Sequence, residues 1–131
     1  MLESTRKLQR ELNAGVTALL TLGLVRQSGR AVYGYELAMQ LAALADDDLP
    51  MNQGALYPVL RSLERMGLLS SEIEPSAAGP PRRYYAITDE GKKAYEEWQE
   101  AWTKTSTLVE RVLEKRHVKH KRNAARRSPV S

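Results

Sequence analysis

The chain lacks cysteine and any long apolar run. None of its 131 residues is a cysteine, which excludes disulfides, thiol chemistry and cysteine-based zinc sites and fits a reducing cytoplasm. No apolar segment approaches the roughly 18 residues of a membrane span, and the first residues do not follow a signal-peptide pattern. We therefore expect a cytoplasmic protein with no membrane span, of a length that suits one domain with its own core.

The motifs of enzymes and of metal sites are missing as well. No serine stands in a nucleophile-elbow pattern, and there is no glycine-rich phosphate loop. His117 and His120 both lie in the C-terminal segment, without the further ligands of a metal site. The acidic run 46–48 lacks the glycine and the terminal glutamate of a calcium loop. We expect no catalytic residues, no cofactor and no metal ion.

The positive charge of the chain is concentrated at its C-terminus. From Lys115 onward there are seven basic residues and no acidic one, which leaves 13 basic against 16 acidic residues in the rest of the chain. The net charge of +4 is therefore not by itself an argument for nucleic-acid binding. The tail, 117–131, has the composition of a disordered segment. It either adds a nonspecific, salt-dependent attraction to phosphates or only keeps the protein soluble.

The most informative segment runs from Asn52 to Gly67. An apolar stripe recurs there at helical spacing and predicts a helix with one buried face: Leu56, Val59, Leu60 and Leu63. Tyr57, Arg61 and Arg65 fall roughly opposite. Such a helix can enter a DNA major groove, where these side chains reach phosphates or base edges. The same row can also be a solvated face with weak surface ion pairs.

The beginning of this helix has two interpretations. Asn52 is a favourable N-cap, and Asn52 and Gln53 then lie at the end that points into the groove. Pro58 favours a later start near Ala55, because proline is tolerated only in the first turn. Gly54 either lets the backbone approach a phosphate or simply forms a tight turn.

The flanking patterns predict a winged helix-turn-helix. Periodicity and turn residues indicate, in order, helices over 5–26, 35–44 and 52–67, strands over 68–74 and 82–87, and a helix from 89 to about 116. Thr88 is an expected N-cap, and Gly67 is expected just past the end of the third helix. The predicted fold is mainly α with a small β-hairpin: a winged-helix DNA-binding domain (5–88) and a long C-terminal dimerisation helix (89–116).

The hairpin carries two arginines after a proline-stiffened turn. Arg82 and Arg83 point to opposite faces of a strand, so one of them at a time faces DNA. Their alternative role is to keep the hairpin tip soluble. Tyr84 and Tyr85 alternate in the same way, one in the core and the other outside it.

The last helix has a large apolar face that requires a partner. The apolar side chains of this face lie on one stripe that shifts gradually around the helix: Trp98, Trp102, Leu108, Val109, Val112 and Leu113. A symmetric homodimer buries this stripe economically, together with Leu8 and Leu12 of the partner's first helix.

Three blocks of the chain resemble the PadR family of bacterial transcriptional regulators. These are VYGYEL (32–37), GALYPVLRSLE (54–64) with GLL (67–69), and GPPRRYYAIT (79–88) with Gly91. The resemblance implies a winged-helix DNA-binding domain, dimerisation through the C-terminal helix and repression relieved by a small ligand. Ser62 departs from the family, whose members often carry a basic residue there.

In multidrug-sensing relatives a tryptophan at the position of Trp102 stacks planar ligands. Trp98 and Trp102 are accordingly either an effector site or part of the dimer core.

These observations predict a homodimeric regulator that binds double-stranded DNA at a pseudo-palindromic operator. The expected DNA contacts are Asn52, Gln53, Gly54, Tyr57, Arg61, Arg65, Arg82 and Arg83. The expected partners are DNA, a second copy of the chain and a small planar or aromatic effector. The alternative is a winged-helix protein-interaction adaptor that does not bind DNA.

Overall fold

A computed structural model describes residues 2–45 and 53–126, with side chains up to residue 114 except that of Gln53. The elements in chain order are α1 (Glu3–Ser28), β1 (Val32–Tyr33), α2 (Gly34–Leu44), a short 3-10 helix (Gln53–Ala55), α3 (Leu56–Arg65), β2 (Leu69–Glu74), β3 (Arg82–Ile87) and α4 (Asp89–Arg126). Four α-helices and a small antiparallel sheet confirm the predicted fold class.

The sheet has three strands where the sequence predicts only a hairpin. Its order is β1-β3-β2, and both pairings are antiparallel. The predicted elements include no strand at Val32 and Tyr33, but these residues pair with Tyr85 and Tyr84. Valine and tyrosine suit an extended backbone, and β3 offers a free edge on that side. α2 therefore begins at Gly34.

The buried face of α1 does not include Leu8 and Leu12, two of its apolar residues. Leu8 and Leu12 are 55% and 50% exposed. The buried positions of α1 are Thr17, Thr21, Leu22, Gly23 and Val25. The ring of Tyr95 covers Gly23. A Cβ added at Gly23 would lie only 3.1 Å from that ring. This close contact between α1 and the start of α4 cannot be read from periodicity.

The core is small and mostly aliphatic. Its largest fully buried side chains come from α1, α2, α3 and the sheet: Leu22, Val25, Val32, Leu37, Leu56, Leu60, Leu63 and Leu69. Tyr85 of β3 is the aromatic member of the core, whereas Tyr84 is only half-buried. The predicted alternation of these two tyrosines is confirmed.

The end of α3 has a well-defined stop. Gly67 adopts a left-handed conformation with φ 78°, as expected for a residue just past a helix. Its N–H donates to the Glu64 carbonyl at 2.9 Å, and the Leu68 N–H donates to the Leu63 carbonyl at 2.9 Å. These two bonds form a Schellman motif, which satisfies carbonyls that the helix end leaves unpaired.

The same turn is bonded to the start of α4. The Thr88 hydroxyl donates to the Gly67 carbonyl at 2.6 Å and accepts from the Gly91 N–H at 3.0 Å. Thr88 is thus the predicted N-cap of α4. Gly91 lies so close to Leu68 that an added Cβ would be 2.1 Å from the Leu68 carbonyl oxygen. These contacts position α3, the hairpin and the first turns of α4 as one body.

α4 continues to Arg126, past the predicted end near Arg116. The segment 117–126, expected to be disordered, is therefore helical along its backbone. Lysine, arginine and alanine are good helix formers, which favours a continued helix in this segment. The rest of the predicted tail, 127–131, lies outside the described residues.

The chain divides into two compact units, the first ending at Glu96 and the second beginning at Glu97. The first unit holds the winged helix with the opening turns of α4, and the second holds the remainder of α4. Within the part of the chain that the structure describes, no helix has the length and apolar character to cross a membrane.

Candidate nucleic-acid interface

α3 begins later than an Asn52 N-cap would allow. The 3-10 helix Gln53–Ala55 precedes it, and its N-cap is Ala55, which makes no side-chain capping bond. Pro58 therefore lies in the first turn, where its missing N–H costs little. The later of the two predicted starts is confirmed. Asn52 lies outside the described residues, and Gly54 is exposed.

Three of the four residues in the predicted apolar stripe of α3 are buried, and Val59 is half-buried. Leu56, Leu60 and Leu63 are at most 1% exposed. Arg61 and Arg65 are exposed, while Tyr57 is half-buried. The ring of Tyr57 approaches the start of α2, lying 3.8 Å from the place of a Cβ on Gly34. The basic part of the outer face is therefore free for a partner, and Tyr57 lies at its edge.

One surface recess brings α3 and the hairpin together. Its lining consists of Arg61, Glu64, Arg65, Arg83 and Tyr85. The hydroxyl of Ser71 donates to a Glu64 carboxylate oxygen at 2.6 Å and accepts from Arg83 Nη1 at 2.8 Å. Three predicted DNA contacts thus surround the recess, two from α3 and one from β3. Glu64 is the one acidic side chain in its lining.

The arginines also act on the buried tyrosine of the recess. Burial raises the pKa of Tyr85 above 10.0, its ordinary value, because a phenolate is poorly solvated there. The positive charges of Arg83 and Arg61 oppose that rise in pKa, and the Glu64 carboxylate adds to it. Tyr85 consequently stays neutral at ordinary pH and lines the recess with an uncharged phenol.

Arg82 lies on the other face of the sheet. Its guanidinium carbon is 5.1 Å from the ring centroid of Tyr33, within the range of a cation–π contact. Tyr33 in turn lies between Tyr35 at 6.0 Å and Tyr84 at 5.8 Å, centroid to centroid. The predicted alternation of Arg82 and Arg83 is confirmed, and the structure groups only Arg83 with the arginines of α3.

Sequence reasoning missed Ser71 and the Tyr33 cluster, and it considered Glu64 only as a partner in weak surface ion pairs. Glu64 is three residues from Arg61, so a helical wheel could have placed it on the same face. Ser71 required the strand register, which sets it opposite Tyr85 and diagonal to Arg83. Tyr33 required β1, which the sequence pattern did not indicate.

The second unit carries its own exposed apolar stripe. Trp102 is 50% exposed, Trp98 is half-buried, and the positions that follow along the same side of the helix are exposed: Leu108, Val109, Val112 and Leu113. Apolar side chains at these spacings lie along one side of the helix for more than three turns, with Thr105 and Ser106 between Trp102 and the four aliphatic residues. Their part in a dimer or an effector site stays a prediction, as do the individual DNA contacts.

The chain is similar to known transcriptional regulators over most of its length. Residues 21–97 match the transcriptional regulator PadR-like family. A PadR family transcriptional regulator from Eggerthella lenta is 33% identical with a TM-score of 0.72, over 86% of this chain and 94% of that one. A PadR-like transcriptional regulator from Bacillus cereus is 32% identical with a TM-score of 0.64, over 79% and 97%. An uncharacterised protein of Lysinibacillus sphaericus is 24% identical over 95 residues, 72% of this chain and 85% of that protein.

Proposed function

Because the chain belongs to the PadR-like family and is a DNA-binding transcriptional regulator, we propose that it is a homodimeric repressor of a pseudo-palindromic operator. Members of this family are regulators and not enzymes, which agrees with the missing catalytic motifs. Family membership also favours DNA over the protein partner of a winged-helix adaptor. We further propose that the protein works in the cytoplasm, where its DNA target lies.

The main support for the proposed DNA contacts is that Arg61, Arg65 and Arg83 lie together beside one exposed face of α3. A guanidinium binds phosphate oxygens or the O6 and N7 atoms of guanine with two hydrogen bonds. In this proposal α3 enters the major groove and Arg83 holds the flanking backbone. Arg82, on the far face of the sheet, contacts the backbone on the other side of the hairpin.

The exposed stripe of α4 supports the homodimer. Exposed apolar side chains over several turns favour association with a matching surface, and a two-fold pairing makes the same stripe serve both copies. The exposed Leu8 and Leu12 of α1 supply a second apolar surface for the partner. Two recognition helices then enter successive major grooves about 34 Å apart.

Relief of repression by a ligand follows from the same stripe. Trp98 and Trp102 are four residues apart, so both indole rings lie on one side of α4. A planar aromatic effector that stacks there preferentially in a non-binding arrangement of the dimer shifts the population away from DNA. Tryptophan quenching together with weaker operator binding supports this role. Quenching with unchanged DNA affinity indicates a tryptophan site without regulatory output.

The DNA proposal is tested by a gel-shift titration with the segment upstream of the protein's own gene. We expect a salt-sensitive shift that prefers this segment over scrambled DNA. Arg61→Ala should weaken binding by about 1–3 kcal/mol and reduce the salt slope by about one. Arg111→Ala, an exposed arginine of α4 outside the proposed contacts, is the matched control and should bind like the wild type. If micromolar protein gives no shift that prefers this segment over scrambled DNA, the proposal that the protein regulates this operator is refuted.

A further inference from the structure

The hydrogen bonds of Ser71 join α3, β2 and β3. Its hydroxyl on β2 donates to Glu64 on α3 at 2.6 Å and accepts from Arg83 on β3 at 2.8 Å. Ser71 and Glu64 are half-buried, whereas Arg83 is exposed. The end of the long, exposed arginine side chain is thus fixed by a less exposed serine.

The chain of bonds has a single direction. A serine hydroxyl carries one proton, and an ionised carboxylate can only accept, so the proton of Ser71 points to Glu64. The lone pairs of the hydroxyl are then turned toward Arg83, which can only donate. Both outer partners are charged, and hydrogen bonds of this kind are stronger than those between neutral groups. Glu64 therefore orients the hydroxyl that holds Arg83.

A free arginine side chain loses conformational entropy when it is ordered on a DNA phosphate. A guanidinium that is already held beside Arg61 and Arg65 loses less. We infer that Glu64 and Ser71 are positioning residues, which fix Arg83 next to α3 so that the recognition helix and the hairpin bind DNA as one unit. The inference rests on the proposed function, since it assigns a role to residues beside the proposed contacts.

The geometry of the sheet provides a matched control. Ser70 and Ser71 are neighbours on β2, so their side chains point to opposite faces, and Ser70 is exposed. Ser71→Ala removes the bridging hydroxyl, while Ser70→Ala removes a hydroxyl of the same strand on the other face. Ser71→Thr keeps a hydroxyl at the same carbon and suits a strand.

The experiment measures fluorescence anisotropy of the labelled upstream DNA with these variants, Arg83→Ala and the double variant Ser71→Ala/Arg83→Ala. Ser71→Ala should weaken binding about threefold to tenfold, which is the size of effect that the loss of one typical hydrogen bond produces. Ser70→Ala should bind like the wild type, and Ser71→Thr should recover most of the loss. In the Arg83→Ala background, removal of Ser71 should have no further effect, because the two residues act through one contact.

A second readout does not depend on DNA. The heteronuclear NOE of the Arg83 Nε–Hε group reports how ordered the guanidinium is, and it should fall in Ser71→Ala and in Glu64→Gln of the free protein. An unchanged NOE, unchanged affinity in Ser71→Ala, or an equal loss of affinity with and without Arg83 would each overturn the positioning role. If the wild type does not bind the DNA while the NOE still depends on Ser71, the operator proposal fails and the positioning of Arg83 stands.

Discussion

At the scale of single residues, the recess beside α3 combines a buried phenol with exposed guanidinium groups. The side chain of Tyr85 is 4% exposed, and its ring approaches Gly34 of α2. Arg83 and Arg61 lie near enough for their charges to lower the pKa of Tyr85, but burial has the larger effect and raises it. Tyr85 thus packs as a core residue and forms the floor of a basic surface.

The raised pKa of Tyr85 predicts a loss of stability in alkali. The neutral phenol is favoured in the folded state, so the folded pKa lies above 10.0. Its contribution to the free energy of unfolding is complete below pH 10 and is lost as the pH rises toward the folded value. Urea unfolding at about pH 8 and about pH 11 should show a larger loss for the wild type than for Tyr85→Phe. Equal losses in the two proteins would contradict the assignment to Tyr85.

At the scale of elements, the turn after α3 and the start of α4 form one bonded junction. Thr88 bridges the Gly67 carbonyl and the Gly91 N–H through its hydroxyl, and its own N–H donates to the Leu68 carbonyl at 3.1 Å. The hairpin lies between these two helices in the sequence. The angle at which α3 and β3 present their arginines therefore depends on this junction.

Gly91 is the position at which this junction is most sensitive to substitution. A Cβ there would be 2.1 Å from the Leu68 carbonyl oxygen and 2.7 Å from Ile87 Cγ1, so the backbone would have to shift. We expect Gly91→Ala to lower the free energy of unfolding by about 3 kcal/mol. Gly15→Ala, at a helical position with nothing within 4 Å, should instead raise it by about 0.5–1 kcal/mol. Urea titrations measure both effects, and a Gly91→Ala protein as stable as the wild type would refute the close contact.

At the scale of the whole molecule, the proposed function requires a second copy of the chain. The winged-helix unit carries one proposed DNA-binding face, and a two-fold operator needs two of them. The second unit, beginning at Glu97, offers an exposed apolar stripe on a helix with no sheet to cover it within that unit. The division into two units therefore matches the division that we propose between DNA binding and assembly.

A charge within this stripe should separate the dimer. Leu108 is 62% exposed in the single chain, so Leu108→Glu should cost the fold of one copy little, but it places a carboxylate in the proposed interface. We expect sedimentation to show monomers and operator affinity to fall by more than about tenfold, since burying an unpaired charge is costly. Thr107→Glu adds the same charge on the opposite side of α4 and should remain dimeric. A dimeric Leu108→Glu protein would exclude this stripe as the interface.

Local patterns in the sequence determine most of the elements. Periodicity, the glycine after α3, the Thr88 cap and the strand alternation predict α2, α3, β2 and β3 closely, because each depends on neighbouring residues. The two faces of α3 follow from the same periodicity, which is why Arg61 and Arg65 could be singled out. The separation of Arg82 from Arg83 likewise follows from the strand period of two.

Only the tertiary structure decides what these elements contact. The pairing of β1 with β3, the burial of Gly23 under Tyr95 and the bridge from Glu64 through Ser71 to Arg83 each join residues distant in the sequence. No period or propensity specifies such contacts, since they depend on how helices and strands pack. By itself the sequence determined most of the elements and the basic face of α3. The fold decided that Arg83, and not Arg82, completes that face.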